Sequence, residues 1–97
     1  MGNYKRNEEN KKDSDQCGIY SITNKLNGKR YIGQTYNFKY RWMRHRSYLN
    51  HNTEHNAHLQ NAWNKYGAEN FEFEIIERCK FEQLDEREIY WINYCDS

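Results

Sequence analysis

The sequence predicts an α+β fold with its elements in the order β-β-α-α-β-α. Three observations lead there. Asn27-Gly28 lies between two short alternating segments rich in Tyr and Ile, the mark of a hairpin. Two segments further on repeat apolar residues at helical spacing, one preceded by Asn37 and the other followed by Gly67. A strictly alternating run over 71–77 then precedes a last amphipathic segment. With 97 residues, one domain is the default.

Each element has its own justification. Residues 1–16 mix Lys, Glu, Asn and Asp without periodicity, so a disordered or weakly helical leader is expected, with the domain over 17–97. Strands follow over 18–23 and 29–35. A two-residue Asn27-Gly28 loop would set Tyr20 opposite Thr35 and Ile22 opposite Gly33. It would put Gly18, Tyr20, Ile22, Tyr31, Gly33 and Thr35 on one face. Both tyrosines then project together, and Gly33 leaves a gap beside them.

Asn37 is the expected N-cap of a helix over 38–49. Arg41, His45 and Tyr48 share one of its faces, beside an apolar stripe of Phe38, Trp42 and Leu49. A second helix over 56–65 buries Leu59, Ala62, Trp63 and Tyr66. The strand over 71–77 points Phe71, Phe73 and Ile75 inward and Glu72 and Glu74 outward. The last helix, over 82–94, carries a stripe of Leu84, Trp91, Ile92 and Cys95, and Glu88 stands within it.

Composition narrows the function classes. There is no long apolar run for a membrane span, and no secretion signal is expected, so the chain reads as intracellular. Three widely spaced cysteines (Cys17, Cys79 and Cys95) fit reduced thiols better than a disulfide framework or zinc site. His51, His55 and His58 have a metal-like spacing but no obvious fourth ligand. The net charge of +1 hides an asymmetry. Residues 16–66 hold eight bases and one acid, Glu54, whereas residues 67–97 hold nine acids and three bases. A basic half suggests a polyanionic partner, and two solvated surfaces attracting each other is the plainer alternative.

Tyr20, Tyr31, Arg41, His45 and Glu88 are the chemically suggestive residues. Singly, each has an ordinary reading: packing for the tyrosines, solvation for the arginine, a buried structural pair with Arg or Tyr for the glutamate. Their conjunction is more specific. Gly18-Ile19-Tyr20 and Tyr31-Ile32-Gly33 stand at hairpin spacing, Arg41-x-x-x-His45 comes one helix later, and Glu86-Arg87-Glu88-Ile89-Tyr90-Trp91-Ile92 surrounds Glu88 in the last helix. This set resembles the GIY-YIG nuclease family, and with Leu59-Gln60 and Asn64-Lys65-Tyr66-Gly67 it is similar to the catalytic domains of phage-type intron-homing endonucleases.

The resemblance implies a three-stranded antiparallel sheet flanked by helices and Mg²⁺- (or Mn²⁺-) dependent phosphodiester hydrolysis in double-stranded DNA. It implies that Tyr20 orients or activates water, that Tyr31 supports it, that Arg41 binds the scissile phosphate and that Glu88 holds the metal. Lys29, Arg30, Gly33, Arg44 and His55 are expected along the substrate path, and a monomer is favoured.

The chemistry is coherent on its own terms. A guanidinium can meet two phosphate oxygens at once, and a single carboxylate with water and phosphate suits Mg²⁺. A phenol with a reference pKa of about 10 is ionised in roughly one molecule in a thousand at pH 7, so Tyr20 needs a proton acceptor. His45 is a candidate, as are His55 and His58. The family's asparagine beyond the last helix is missing before Ser97. An excised or truncated catalytic domain with limited sequence preference is therefore expected. A fold-keeping DNA-binding module without turnover is the competing class, and repair or restriction are alternative roles for an active enzyme.

Overall fold

In the computed structural model, residues 16–95 are described. The expected leader therefore lies, but for Gln16, outside the described residues. Strands β1 (Gly18–Asn24), β2 (Arg30–Thr35) and β3 (Phe71–Arg78) form one antiparallel sheet in the order β2-β1-β3. Helices α1 (Phe38–Asn50) and α2 (Ala57–Tyr66) connect β2 to β3, and α3 (Leu84–Cys95) follows β3. This is the expected order, with short 3-10 turns at Ala68–Asn70 and Phe81–Gln83. None of the helices among the described residues is long and apolar enough to cross a membrane.

The hairpin departs from expectation in its loop. Its connection is residues 25–29, closed by Asn24 N–H donating to the Lys29 carbonyl at 2.9 Å. Two asparagine side chains cause this: Asn24 Oδ1 accepts from Leu26 N–H, and Asn27 Oδ1 accepts from Lys29 N–H, both at 2.9 Å. Such local side-chain bonds outcompete a two-residue turn. The register moves by two, so Tyr20 faces Gly33 and Gly18 faces Thr35. An even shift leaves every side chain on its expected face.

The sheet has a core on each side. Tyr20 and Ile22 of β1 pack with Phe38, Leu49, Leu59, Trp63 and Phe71 under α1 and α2. Ile19 and Cys17 pack with Leu84 under α3, joined by Ile32, Ile76 and Trp91. Burying Phe38, Leu49 and Leu59 almost completely contributes about 1.5–3 kcal/mol each. Strand β3 supplies both cores through a bulge: Ile19 pairs with Glu77 but Tyr20 with Ile75, leaving Ile76 as the extra residue. The bulge also turns Glu77 away from the simple alternation. Its carboxylate accepts from Arg87 Nε and Trp91 Nε1, each at 2.8 Å, and pins α3 to the sheet.

Both helical entries on the first face are capped by asparagine. Asn37 accepts from Tyr40 N–H and Asn56 from Leu59 N–H. Asn56 is therefore the cap of α2 and not its first residue. His51, His55 and His58 do not share a helix: His51 follows α1, His55 lies in the connection and His58 lies in α2.

Candidate active site

The site is built around the Tyr20 hydroxyl. Strand β1 aims this side chain at α1, where its ring lies edge-on to Trp42 with centroids 6.4 Å apart. The hydroxyl is 2.7 Å from His45 Nε2, and Arg41 Nε donates to it at 3.4 Å. Arg41 and His45 reach the same oxygen because four residues on a helix bring them to one face. Tyr20 and His45 are buried, whereas Arg41 is exposed and its guanidinium makes no second hydrogen bond among the described residues.

Gly33 explains half of the paired tripeptides. A Cβ there would sit 2.5 Å from both Cζ and the hydroxyl oxygen of Tyr20, so the phenol occupies the space of the missing side chain. Gly18 has the corresponding role against backbone, because a Cβ would run into the Glu77 carbonyl on β3. The glycines are thus close-approach positions that let β1 and its tyrosine lie flat between two neighbours.

A residue that sequence reasoning passed over completes this side. Glu54, in the connection between α1 and α2, places Oε1 2.9 Å from His45 Nδ1. The two side chains are only 8% and 5% exposed. Gln60 anchors the connection: its Oε1 accepts from Glu54 N–H, and its Nε2 donates to the Leu49 carbonyl, both at 3.0 Å. The available signal was charge, since Glu54 is the single acid in the basic span 16–66.

Burial and these partners set the protonation states. Burial pushes the Tyr20 phenol above its ordinary value, against the hydrogen bond and charge of Arg41, which lower it. The phenol therefore holds its proton until something accepts it. Burial also pulls His45 below 6.5, with Glu54 acting in the opposite direction, so the imidazole is neutral at pH 7 and able to take a proton.

Glu88 stands on the other side of the sheet, on α3. Its Oε1 accepts from Gln34 Nε2 at 2.7 Å, and the same amide donates to Asp85 Oδ1 at 2.8 Å. Its partner is thus an amide and neither an Arg nor a Tyr. Gln34 follows Gly33 on edge strand β2, which brings Glu88 close enough to act electrostatically on the Tyr20 phenol. Among the described residues no three His, Cys, Asp or Glu side chains cluster as a ready-made metal site. Glu88 with Asp85 nonetheless offers oxygen donors of the kind that hold Mg²⁺ through one or two carboxylates, the remainder being water and phosphate.

The remaining candidates make no hydrogen-bond contact with the Tyr20 hydroxyl or the Glu88 carboxylate. Tyr31 is half-buried on the Tyr20 face and packs against the first core, with burial and the Tyr66 phenol raising its pKa. Lys29 and Arg30 line a cleft of about 240 Å³ with Tyr31, Ile32, Asn56, His58 and Ile92. Arg44 is clasped by Tyr40 and Tyr48, donating to both hydroxyls, with its guanidinium over both rings. His55 is exposed next to Glu54, and His45 alone among the histidines touches Tyr20.

A sheet that aims a buried phenol at a helix-borne guanidinium and imidazole, with carboxylates at the neighbouring edge, is the equipment of a phosphate-handling enzyme. The GIY-YIG catalytic domain family matches residues 16–95, and the chain belongs to that nuclease family. It is 39% identical over 84 residues to the intron-associated endonuclease 1 of Enterobacteria phage T4, covering 84% of this chain and 34% of that protein. It is 38% identical over 68 residues to the probable intron-encoded endonuclease 1 of Neurospora crassa, covering 70% of this chain and 21% of that one. The chain thus spans about a third of the first of these curated relatives and about a fifth of the second. The solved catalytic domain of the homing endonuclease I-TevI superposes with a TM-score of 0.79 at 36% identity, covering 84% of this chain and 89% of that one. The domain is a GIY-YIG nuclease domain related to homing-endonuclease catalytic domains, with the three-stranded antiparallel sheet and flanking helices that the family resemblance implied.

Proposed function

We propose that the domain hydrolyses phosphodiester bonds of double-stranded DNA with Mg²⁺ or Mn²⁺, as the cutting domain of a homing-type endonuclease. The observation that carries this reading is the Tyr20 oxygen held between Arg41 and the neutral His45. Water attacks phosphorus as its proton passes to the Tyr20 oxygen, and the proton of Tyr20 passes to His45 Nε2. Arg41 turns its exposed terminal N–H groups to the non-bridging oxygens, where charge accumulates as the phosphorus–oxygen bond breaks. The departing oxygen takes a proton from solvent. Glu88, with Asp85 beside it, would hold the divalent ion, which when bound supplies charge neutralisation at phosphate and leaving oxygen. Lys29, Arg30 and His58 line the adjoining cleft and support backbone contacts that weaken as salt rises.

The test is nicking of supercoiled plasmid with Mg²⁺ or with chelator. Nicking is expected with Mg²⁺ alone, and Glu88→Ala should lose most of it while remaining folded. Equal cleavage by that variant overturns the metal role. A salt-sensitive gel shift without cleavage at high enzyme concentration overturns the catalytic reading in favour of a DNA-binding module.

A further inference from the structure

Tyr20, His45 and Glu54 form a continuous line from strand β1 through α1 to the connection before α2, with separations of 2.7 and 2.9 Å. The outer member has no route to a substrate, being 5% exposed at its side chain. Its carboxylate is nevertheless fixed at both oxygens: Oε1 faces His45 Nδ1, and Oε2 accepts from Asn56 N–H at 3.2 Å. Gln60 grips the Glu54 backbone from α2. A buried acid placed so firmly, in an otherwise basic span, calls for a purpose beyond solubility.

We propose that Glu54 is a positioning residue for the reaction: it holds His45 as the Nδ1–H tautomer, so that the Nε2 lone pair faces the Tyr20 hydroxyl. This rests on the hydrolytic reading above for its kinetic consequence but not for its structural one. A carboxylate accepts and cannot donate, so Nδ1 must carry the hydrogen. A neutral imidazole then has its lone pair on Nε2. Tyr20 donates to that nitrogen, while its oxygen accepts from Arg41. The opposite tautomer would point an N–H at the phenol oxygen and leave nothing to receive the proton of Tyr20. After transfer, the imidazolium is stabilised by the same carboxylate. The charged and titratable groups facing His45 are Tyr20 from β1, Arg41 from its own helix and Glu54 from the connection.

Glu54→Gln tests this at constant size, because an amide can offer either oxygen or N–H and imposes no tautomer. Cleavage of supercoiled plasmid with Mg²⁺ should lose about 10²–10⁴-fold in kcat. KM for DNA should stay within about twofold, since the interaction lost is not one with substrate. Glu54→Asp, which keeps the acceptor, should recover part of the rate. The nitrogen-15 spectrum of His45 gives a readout that a packing role would not move. The native protein at neutral pH should show a protonated Nδ1 and a bare Nε2, and Glu54→Gln should shift the balance towards Nε2–H. Undiminished kcat in Glu54→Gln, or a native spectrum with Nε2 protonated, overturns the proposal. Should Glu54→Gln fail to fold, the native spectrum and Glu54→Asp still decide it. Should the native domain cut no plasmid, the hydrolytic reading fails and the spectrum alone tests what Glu54 does to His45.

Discussion

The two sides of the sheet handle polar groups in opposite ways. On the α1 side, the side chains of Tyr20, His45 and Glu54 are buried and joined end to end, so each is satisfied within the protein. On the α3 side, Asp85 and Glu88 share one amide nitrogen of Gln34 and stand half-buried or exposed. Acids in that state keep oxygen lone pairs to offer. The contrast follows from desolvation. A buried imidazole or phenol must be satisfied within the fold, whereas a solvent-facing carboxylate keeps acceptor capacity for water or, on the reading proposed above, for an ion. The sides meet at β2, where Gly33 receives the Tyr20 phenol and Gln34, the next residue, holds Asp85 and Glu88.

The largest loss is expected at Tyr20, on the α1 side. Tyr20→Phe keeps the ring and its packing but removes the hydroxyl shared by His45 and Arg41. Plasmid cleavage should fall about 10³-fold, within the range for a lost acid–base group. Stability should fall by about 1–3 kcal/mol because His45 Nε2 is left without its partner. A variant that cuts normally would make the α1 side structural. A smaller effect is expected on the other side. Gln34→Leu removes the donor that orients Asp85 and Glu88, so the Mg²⁺ concentration for half-maximal cleavage should rise about tenfold or more. An unchanged Mg²⁺ requirement would mean that Gln34 does not prepare these acids for an ion.

The mildest test is pH. His45 has a lowered pKa in the folded chain and an ordinary one near 6.5 when unfolded. The unfolded state therefore takes up the proton first as pH falls. The associated stability is complete above about pH 6.5 and is lost as pH drops through the folded pKa of His45. Urea midpoints should accordingly fall between pH 7.5 and 5.5, and His45→Gln should flatten that decline. The lowered pKa of Glu77 acts in a more acidic window, below its ordinary value of 4.5, so the two can be separated.

The elements and faces were legible because their causes are local. Asn37 caps α1, Leu59 and Trp63 recur at helical spacing, and alternation in β3 separates Phe71 from Glu72. Parity even survived the misplaced loop, since the two asparagine turns shift register by an even number. Tyr20, Arg41 and His45 could be grouped because helix geometry brings positions four apart to one side, and Tyr20 lies on the face that α1 covers. Glu54, Gln34 and Asp85 could not be grouped in that way. Each reaches its partner across a connection or between elements, and no period encodes such a meeting.

From sequence alone come the order of elements, the two tripeptides, the charge asymmetry and the family resemblance, all carried by neighbours along the chain. The tertiary structure decided which histidine meets the phenol, which acid stands behind it and what Gly33 is for. Those depend on distances between segments far apart in sequence. Register, the bulge at Ile76 and the path of the α1–α2 connection set those distances only when the two cores close.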